Sequence, residues 1–471
     1  MIRERILRGE VAVIGLGRSG LSVSLLLSRA GARVYASDAS DVDAGTLAKL
    51  AAAGVDARGG AHDLDRIGTA AVVVVSPGVP PNAPPLVRAR ERGVPVVSEV
   101  EVALAFLPTV KSIAVTGTNG KSTVTAMIAH LLRALGADAI AAGNIGTPLS
   151  EVALMVTPPD WVALELSSFQ LHDTPSIAPA VGVLTNLEPD HLDRYASLEE
   201  YYADKMLLFA NATSESVWVT NADDAEVERR TARIAGARWR FSLWDDRAEA
   251  GPLLVRDMEM RAGSDRVITT DHGLEYNLFG GAFISISDIP LLGWHNVANT
   301  LAAALAVASA DPAHRTPDAR RMLAGGVRTF RALPHRLQVV AEVNGVTWID
   351  DSKATNISSA RVAIEAMTRP TVVLLGGKHK NEPYTALLDA LLKTATLVIA
   401  YGEAAPIIEA DLGGLVPLVR LGSSFHDVIA CARAAARPGG AVLLSPACSS
   451  YDMFKNYEER GDTFKRLAAV Q

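Results

Sequence analysis

Along most of the chain, short apolar runs rich in β-branched residues alternate with stretches whose apolar positions recur every three or four residues. "VAVIG" (11–15) precedes "SGLSVSLLLSRAG" (19–31). "RVYASD" (33–38), "AAVVVVSPG" (70–78) and "GVPVVSEVEVALAFL" (93–107) continue the alternation. Buried strands followed by amphipathic helices predict parallel α/β layers. A second unit starts at "KSIAVTG" (111–117), with further buried strands expected in "DWVALELSSFQL" (160–171) and "VGVLTNL" (181–187). From about 212 to 292 the pattern weakens into mixed short strands without an interpretable motif, and a long Ala-rich helix follows at "NVANTLAAALAVASA" (296–310). A third alternation runs through "VTWIDD", "TVVLLGG", "TLVIAYG" and "AVLLSP" (346–446). The pattern predicts three α/β domains, 1–109, 110–331 and 332–471.

Composition narrows the function. The 471 residues are 49% hydrophobic and 21% charged, with a formal net charge of −7 and no long basic run. A mainly electrostatic nucleic-acid binder needs clustered Lys and Arg, so that class is disfavoured. Two cysteines, Cys431 and Cys448, disfavour both a disulfide framework and a Cys-based zinc site. The charged start "MIRERILRGE" and the short apolar run after it do not read as a signal peptide, and no stretch reaches the length of a membrane span. A cytoplasmic location is the resulting expectation.

Two glycine loops carry candidate chemistry. "GLGRSG" (Gly15, Leu16, Gly17, Arg18, Ser19, Gly20) follows a strand and opens a helix, and Asp38 lies about 20 residues on, where an acid would meet a ribose. A nucleotide or dinucleotide at the helix N-terminus fits, as does a tight turn that needs glycines for packing. "VTGTNGKST" (115–123) resembles a phosphate loop with its first glycine displaced: Gly120, Lys121 and Ser122 are in place, but Val115 stands where the first glycine belongs. Backbone N–H groups from Gly117 through Thr118, Asn119 and Gly120 would cradle a triphosphate, Lys121 would neutralise its outer phosphates, and Ser122, followed by Thr123, would reach Mg²⁺.

The shortened loop resembles that of the Mur ligases and their folylpolyglutamate synthase relatives. "GNIGTP" (143–148), "LELSSFQL" (164–171), "TNLEPDHLDRY" (185–195), "GWHNVANTLAA" (293–303), "LPHR" (333–336), "DDSKATN" (350–356), "LLGGKHK" (374–380) and "LLSPACSSYDMFKNYEERG" (443–461) resemble motifs of the same family in the same order. The resemblance covers essentially the whole chain. It implies a Rossmann-like N-terminal domain, a central P-loop ATPase-type α/β domain and a C-terminal Rossmann-like α/β domain. "DSKATN" and "SPACSSYDMFKNYEERG" point to the branch that adds D-glutamate to UDP-N-acetylmuramoyl-L-alanine in peptidoglycan synthesis.

That resemblance implies ATP-driven amide formation through an acyl phosphate. The UDP substrate would contact Gly15 to Gly20, Asp38, Ser76, Pro77, Gly78, Asn144 and His191. ATP would meet residues 117–123, Asn296 at the adenine, Arg336 at the phosphates and Asp351 at the ribose. Mg²⁺, as two ions, would be held by Ser122, Glu165, His191 and a CO₂-derived carbamate on Lys205. Without the resemblance, Lys205 reads as a solvated helix lysine and His191 as a loop residue. Lys353 would add charge near the γ-phosphate, and Thr355, Lys380, Ser445 and Phe454 would hold glutamate, Lys378 being the alternative to Lys380. A monomer is expected. The residues leave open another ligase of the family, a nicotinamide-dependent oxidoreductase built on "GLGRSG", and a non-catalytic nucleotide binder.

Overall fold

The computed structural model describes residues 2–107, 109–190, 194–243, 254–256, 268–270, 273–278 and 281–470. They form two compact units, Met1–Ile289 with Ala298–Thr329, and Pro290–Val297 with Phe330–Gln471. The first unit contains two parallel-type sheets, the second one.

The N-terminal sheet has the order β3-β2-β1-β4-β5, with β1 Glu10–Ile14, β2 Arg33–Ser37, β3 Asp56–Arg58, β4 Val72–Val75 and β5 Val96–Ser98, all parallel. The apolar runs of β1 and β4 are buried between helices, which is why they read as continuous rather than alternating. The chain reverses direction across the sheet between β1 and β4, so their carboxyl ends open a crevice.

The central sheet has the order β12-β11-β10-β9-β6-β8-β7. Its strands are β6 Lys111–Thr116, β7 Ala139–Gly143, β8 Trp161–Glu165, β9 Val181–Leu184, β10 Val217–Asn221, β11 Ala237–Phe241 and β12 Leu254–Arg256. Only β12 runs antiparallel to its neighbour. The segment beyond 212 is thus partly an extension of this sheet, its strands "VWVTN" and "ARWRF" broken by Arg and Asn. The strand expected across 160–171 ends at Glu165, and Ser168–His172 is a helix. Ser167 and Gln170 form a reciprocal capping box there, which stops the strand. A separate antiparallel sheet joins β13 Ile268–Thr270, β14 Gly273–Leu278 and β15 Gly281–Ser285.

In the second unit the order is β16-β17-β21-β18-β19-β20: β16 Gln338–Val343, β17 Val346–Asp350, β18 Thr371–Gly376, β19 Ala395–Tyr401, β20 Leu418–Arg420 and β21 Ala441–Leu444. β16 is the antiparallel edge. Apolar clusters cover both faces of this sheet, one around Ile349, Val373 and Leu443, the other around Trp348, Leu374 and Phe464.

Candidate active site

In the first unit a cavity of about 710 Å³ lies at the carboxyl ends of β1 and β4. Gly15, Gly17, Arg18, Ser19, Asp38, Ser76, Pro77 and Gly78 line it, and Gly143 and Asn144 reach it from the central sheet. Leu16 and Gly20 do not line it; they fix the loop behind it. The Leu16 amide donates to Asp38 Oδ2 at 2.7 Å, and Ser76 Oγ donates to the Gly15 carbonyl at 2.9 Å. A Cβ on Gly20 would lie 1.8 Å from the Gly15 oxygen, so only glycine fits where the helix meets the loop. His62 also lines the cavity, and sequence patterning had no signal for it.

The second glycine loop joins β6 to the Lys121–Ala134 helix. The displaced glycine has a structural reason. Gly117 has φ +145°, and a Cβ there would lie 2.0 Å from Thr185 Oγ1, so glycine is needed where the loop presses against the end of β9. Asn186, just beyond β9, braces the loop: its Oδ1 accepts the amide of Asn119 at 2.7 Å. Lys121 Nζ folds back onto the carbonyls of Gly117 (2.9 Å) and Thr118 (2.7 Å). Ser122 and Thr123 are buried at the helix start. Asn299 packs its Oδ1 2.3 Å from where a Gly120 Cβ would stand.

Register puts two further groups beside this loop. Glu165 ends β8 and pairs with Val115 on β6 and Gly143 on β7. It is 2% exposed; Oε1 accepts from Asn144 Nδ2 at 3.0 Å, while the buried Oε2 has no hydrogen-bond partner. Lys205, 1% exposed on the Leu198–Met206 helix, donates from Nζ to the Gly117 carbonyl at 2.7 Å and lies 4.4 Å from the Tyr201 ring. Burial, reinforced by the charge of Lys121, holds its pKa well below the usual lysine value. An orphaned carboxylate oxygen, a buried hydroxyl and a lysine pushed toward its neutral form surround one phosphate loop. Hard oxygen donors of this kind suit Mg²⁺. Among the described residues no group of three or more His, Cys, Asp or Glu side chains makes a metal site without such help. His191 lies outside the described residues.

In the second unit the carboxyl ends of β17, β21 and β18 are neighbours. Asp351 follows β17; its Oδ1 accepts the Leu337 amide at 3.2 Å and its Oδ2 accepts Ser445 Oγ at 2.8 Å. Ser445 is therefore a buried support for Asp351. Burial pushes the Asp351 carboxyl up to about 7. Lys353 donates to Tyr457 Oη at 3.1 Å and lies 4.9 Å from that ring. Thr355 is half-buried and Lys380 exposed. Phe454 is half-buried and packs edge-on against Phe425, centroids 5.1 Å apart, at the margin of the apolar core. Asn296 is buried and donates from Nδ2 to the Leu292 carbonyl at 2.7 Å.

Three family models match the chain: "Mur ligase MurD-like, N-terminal domain" at 9–98, "Mur ligase middle domain" at 115–307 and "Mur ligase, glutamate ligase domain" at 335–448. A UDP-N-acetylmuramoylalanine–D-glutamate ligase of Acidobacterium capsulatum is 39% identical, over 97% of this chain and 95% of that relative. The chain belongs to the Mur ligase family. A relative of the same name from Salinibacter ruber is 37% identical over 99% of both chains. The solved MurF ligase of Thermotoga maritima, in complex with ADP, shares the fold with a TM-score of 0.60 at 17% identity, covering 99% of this chain and 95% of that one.

In this Mur ligase, most sequence-predicted residues of the first unit lie at one cavity or one phosphate loop; Leu16 and Gly20 stand behind the cavity wall, and His191 is outside the described residues. Asn186 and Tyr457 were missed, although each lies inside a motif read for another residue; Asn299, which reads equally as a capping or packing residue, was left out of the site. Among the described residues no helix is long and apolar enough to cross a membrane.

The pKa of Asp351 makes a prediction. A carboxyl raised in the folded state favours folding below its unfolded value near 4, and that contribution is lost as pH rises to about 7. Asp351→Asn is therefore expected to raise the Tm of the ligand-free protein at pH 8 and to give no gain near pH 4. Melting curves at both pH values check this.

Proposed function

We propose that this Mur ligase joins the amine of D-glutamate to the carboxylate of UDP-N-acetylmuramoyl-L-alanine, with ATP as energy source, in cytoplasmic peptidoglycan synthesis. It acts as a monomer with domains 1–109, 110–331 and 332–471. The observation that carries the reading is the grouping of Lys121, Lys205 and the orphaned Glu165 Oε2 at the phosphate loop. Through Asn144 this grouping is hydrogen-bonded to the wall of the 710 Å³ cavity.

The cavity takes the UDP end of the substrate, with the Leu16–Gly20 helix start toward the diphosphate. Asn144, which lines the cavity and bonds Glu165, would direct the alanyl carboxylate toward the phosphate loop. That carboxylate attacks the γ-phosphorus of ATP, the bond to the bridging oxygen breaks, and ADP leaves. Both reactants are anions, so cations must separate their charges. Lys121 supplies one, swinging from the loop carbonyls to the phosphates. Two Mg²⁺ ions held by Ser122, Glu165, His191 and the carbamate of Lys205 would neutralise phosphate charge. Carbamylation requires a neutral amine, and the depressed pKa of Lys205 favours that form. Asn296, Arg336 and Asp351 take the adenine, phosphates and ribose, and Lys353 faces the γ-phosphate. Glutamate, held by Thr355, Lys380 and the 445–454 loop, attacks the acyl carbon with its amine; the tetrahedral adduct expels phosphate.

An acyl phosphate carries one oxygen of the alanyl carboxylate into the released phosphate. With ¹⁸O in that carboxylate, mass spectrometry of the phosphate is expected to find one label per turnover. Unlabelled phosphate would rule out the acyl-phosphate route.

Gly17 offers a separate check on the cavity. Its φ is −66°, and a Cβ there would meet nothing within 4 Å. Gly17→Val should therefore fold normally yet project into the cavity, raising the KM for the UDP substrate by about tenfold or more, on the scale of one displaced contact. The KM for ATP should stay unchanged in the same assay.

A further inference from the structure

Arg460 lies on the Tyr457–Ala468 helix and is fully buried. Its Nε donates to Ser352 Oγ at 2.9 Å. Nη2 donates to the Ser352 carbonyl at 2.8 Å and the Cys448 carbonyl at 3.2 Å, and Nη1 to the Cys448 carbonyl at 3.1 Å. No carboxylate pairs with it among the described residues. A buried guanidinium answered only by a hydroxyl and carbonyls is costly, so its position calls for a reason.

The reason lies in what it joins. Ser352 belongs to the loop after β17, with Asp351, Lys353 and Thr355. Cys448 belongs to the loop after β21, with Ser445. The third loop, after β18, carries Lys378 and Lys380, and passes so close that a Cβ on Gly377 would lie 3.1 Å from Arg460 Nη1. These three strands are adjacent in the order β17-β21-β18. The loops are also tied to each other: the Ala447 amide donates to the Ala354 carbonyl at 3.0 Å, and the Lys378 amide to the Ser449 carbonyl at 2.8 Å. Ser352 Oγ passes the contact on, donating to the Tyr457 carbonyl at 2.8 Å. A planar fork with five donors can pin two loops in one register; an ammonium cannot.

We propose that Arg460 is a positioning residue for the amino-acid substrate. It fixes the loops after β17 and β21 against the loop after β18, and its unpaired charge favours a ligand with two carboxylates above it. This rests on the reading that glutamate binds to these three loops.

The test uses full-length Arg460→Lys, which keeps the charge and loses the fork, and Arg460→Met, which loses both. Each is expected to raise the KM for D-glutamate about tenfold or more, since charge-assisted contacts are disrupted, with the KM for the UDP substrate within about twofold. A merely structural role would reduce the folded fraction and hence kcat, so an unchanged glutamate KM in Arg460→Lys overturns the proposal whatever happens to kcat. If neither variant folds, Ser352→Ala removes the Nε acceptor, and with it the bond to the Tyr457 carbonyl, while leaving the Ser352 carbonyl to Nη2. A glutamate KM raised about threefold or more then supports the proposal, and an unchanged one overturns it. Thr355→Val and Lys380→Ala run alongside. A raised KM in these two but not in the Arg460 variants sinks this inference alone; no rise in any of them sinks the reading of the site and this inference with it.

Discussion

Lys121→Ala is expected to lower turnover by on the order of 10³-fold or more, the scale of a single cation acting on a transferring phosphoryl group. Two effects combine. The first is loss of the ammonium that would follow the γ-phosphate as the alanyl carboxylate attacks. The second acts through Lys205. The Lys121 charge is the second-largest cause, after burial, of the depressed Lys205 pKa. Removing it leaves Lys205 more protonated, and a protonated amine cannot take up CO₂. The loop itself should survive, because Asn186 and Thr185 hold Asn119 independently of the lysine. Calorimetry should therefore find UDP-substrate affinity unchanged while labelled phosphate disappears from the single-turnover reaction. Near-normal turnover would show that Lys121 has no part in the chemistry.

Lys205→Ala is expected to cost about 10²-fold or more, the scale of losing one preorganised electrostatic group in a dry site. The variant removes a buried side chain whose amine rests on the Gly117 carbonyl. If its work is done as a carbamate, the missing part is a carboxylate oxygen. Acetate fits the space an alanine leaves, so added acetate should restore part of the rate, and chloride at equal ionic strength should not. Lys205→Arg should be inactive and indifferent to acetate, since guanidinium forms no carbamate and fills the space. Wild-type activity in Lys205→Ala would return the residue to a packing role.

Much of this was legible because phosphate chemistry constrains the backbone. A glycine loop between a buried strand and a helix leaves a sequence trace, and both loops fold as their spacing predicts. Lys205 was harder, yet a signal existed: Tyr201 and Tyr202 stand four and three residues before it, on the same helix face, and both are buried. Long-range bracing left less trace. Nothing near Asn186 in sequence says that its amide will hold Asn119. Arg460 reads as a solvated helix residue until β17, β21 and β18 are placed side by side. Phe454 was chosen for its motif; it is half-buried with one edge against Phe425, and Tyr457, three residues on, is the aromatic at Lys353. β10 and β11 were legible only as part of a stretch of mixed short strands, because polar residues interrupt their apolar pattern.

The central claim is an ATP-driven amide ligation, and the most direct measurement is phosphate release from ATP and Mg²⁺ by the full chain, with product mass followed in parallel. Release is expected only when UDP-N-acetylmuramoyl-L-alanine and D-glutamate are both present, with one UDP-muramyl dipeptide formed per phosphate and no activity with L-glutamate. Phosphate release that ignores glutamate, or a product lacking the new amide, would contradict the account.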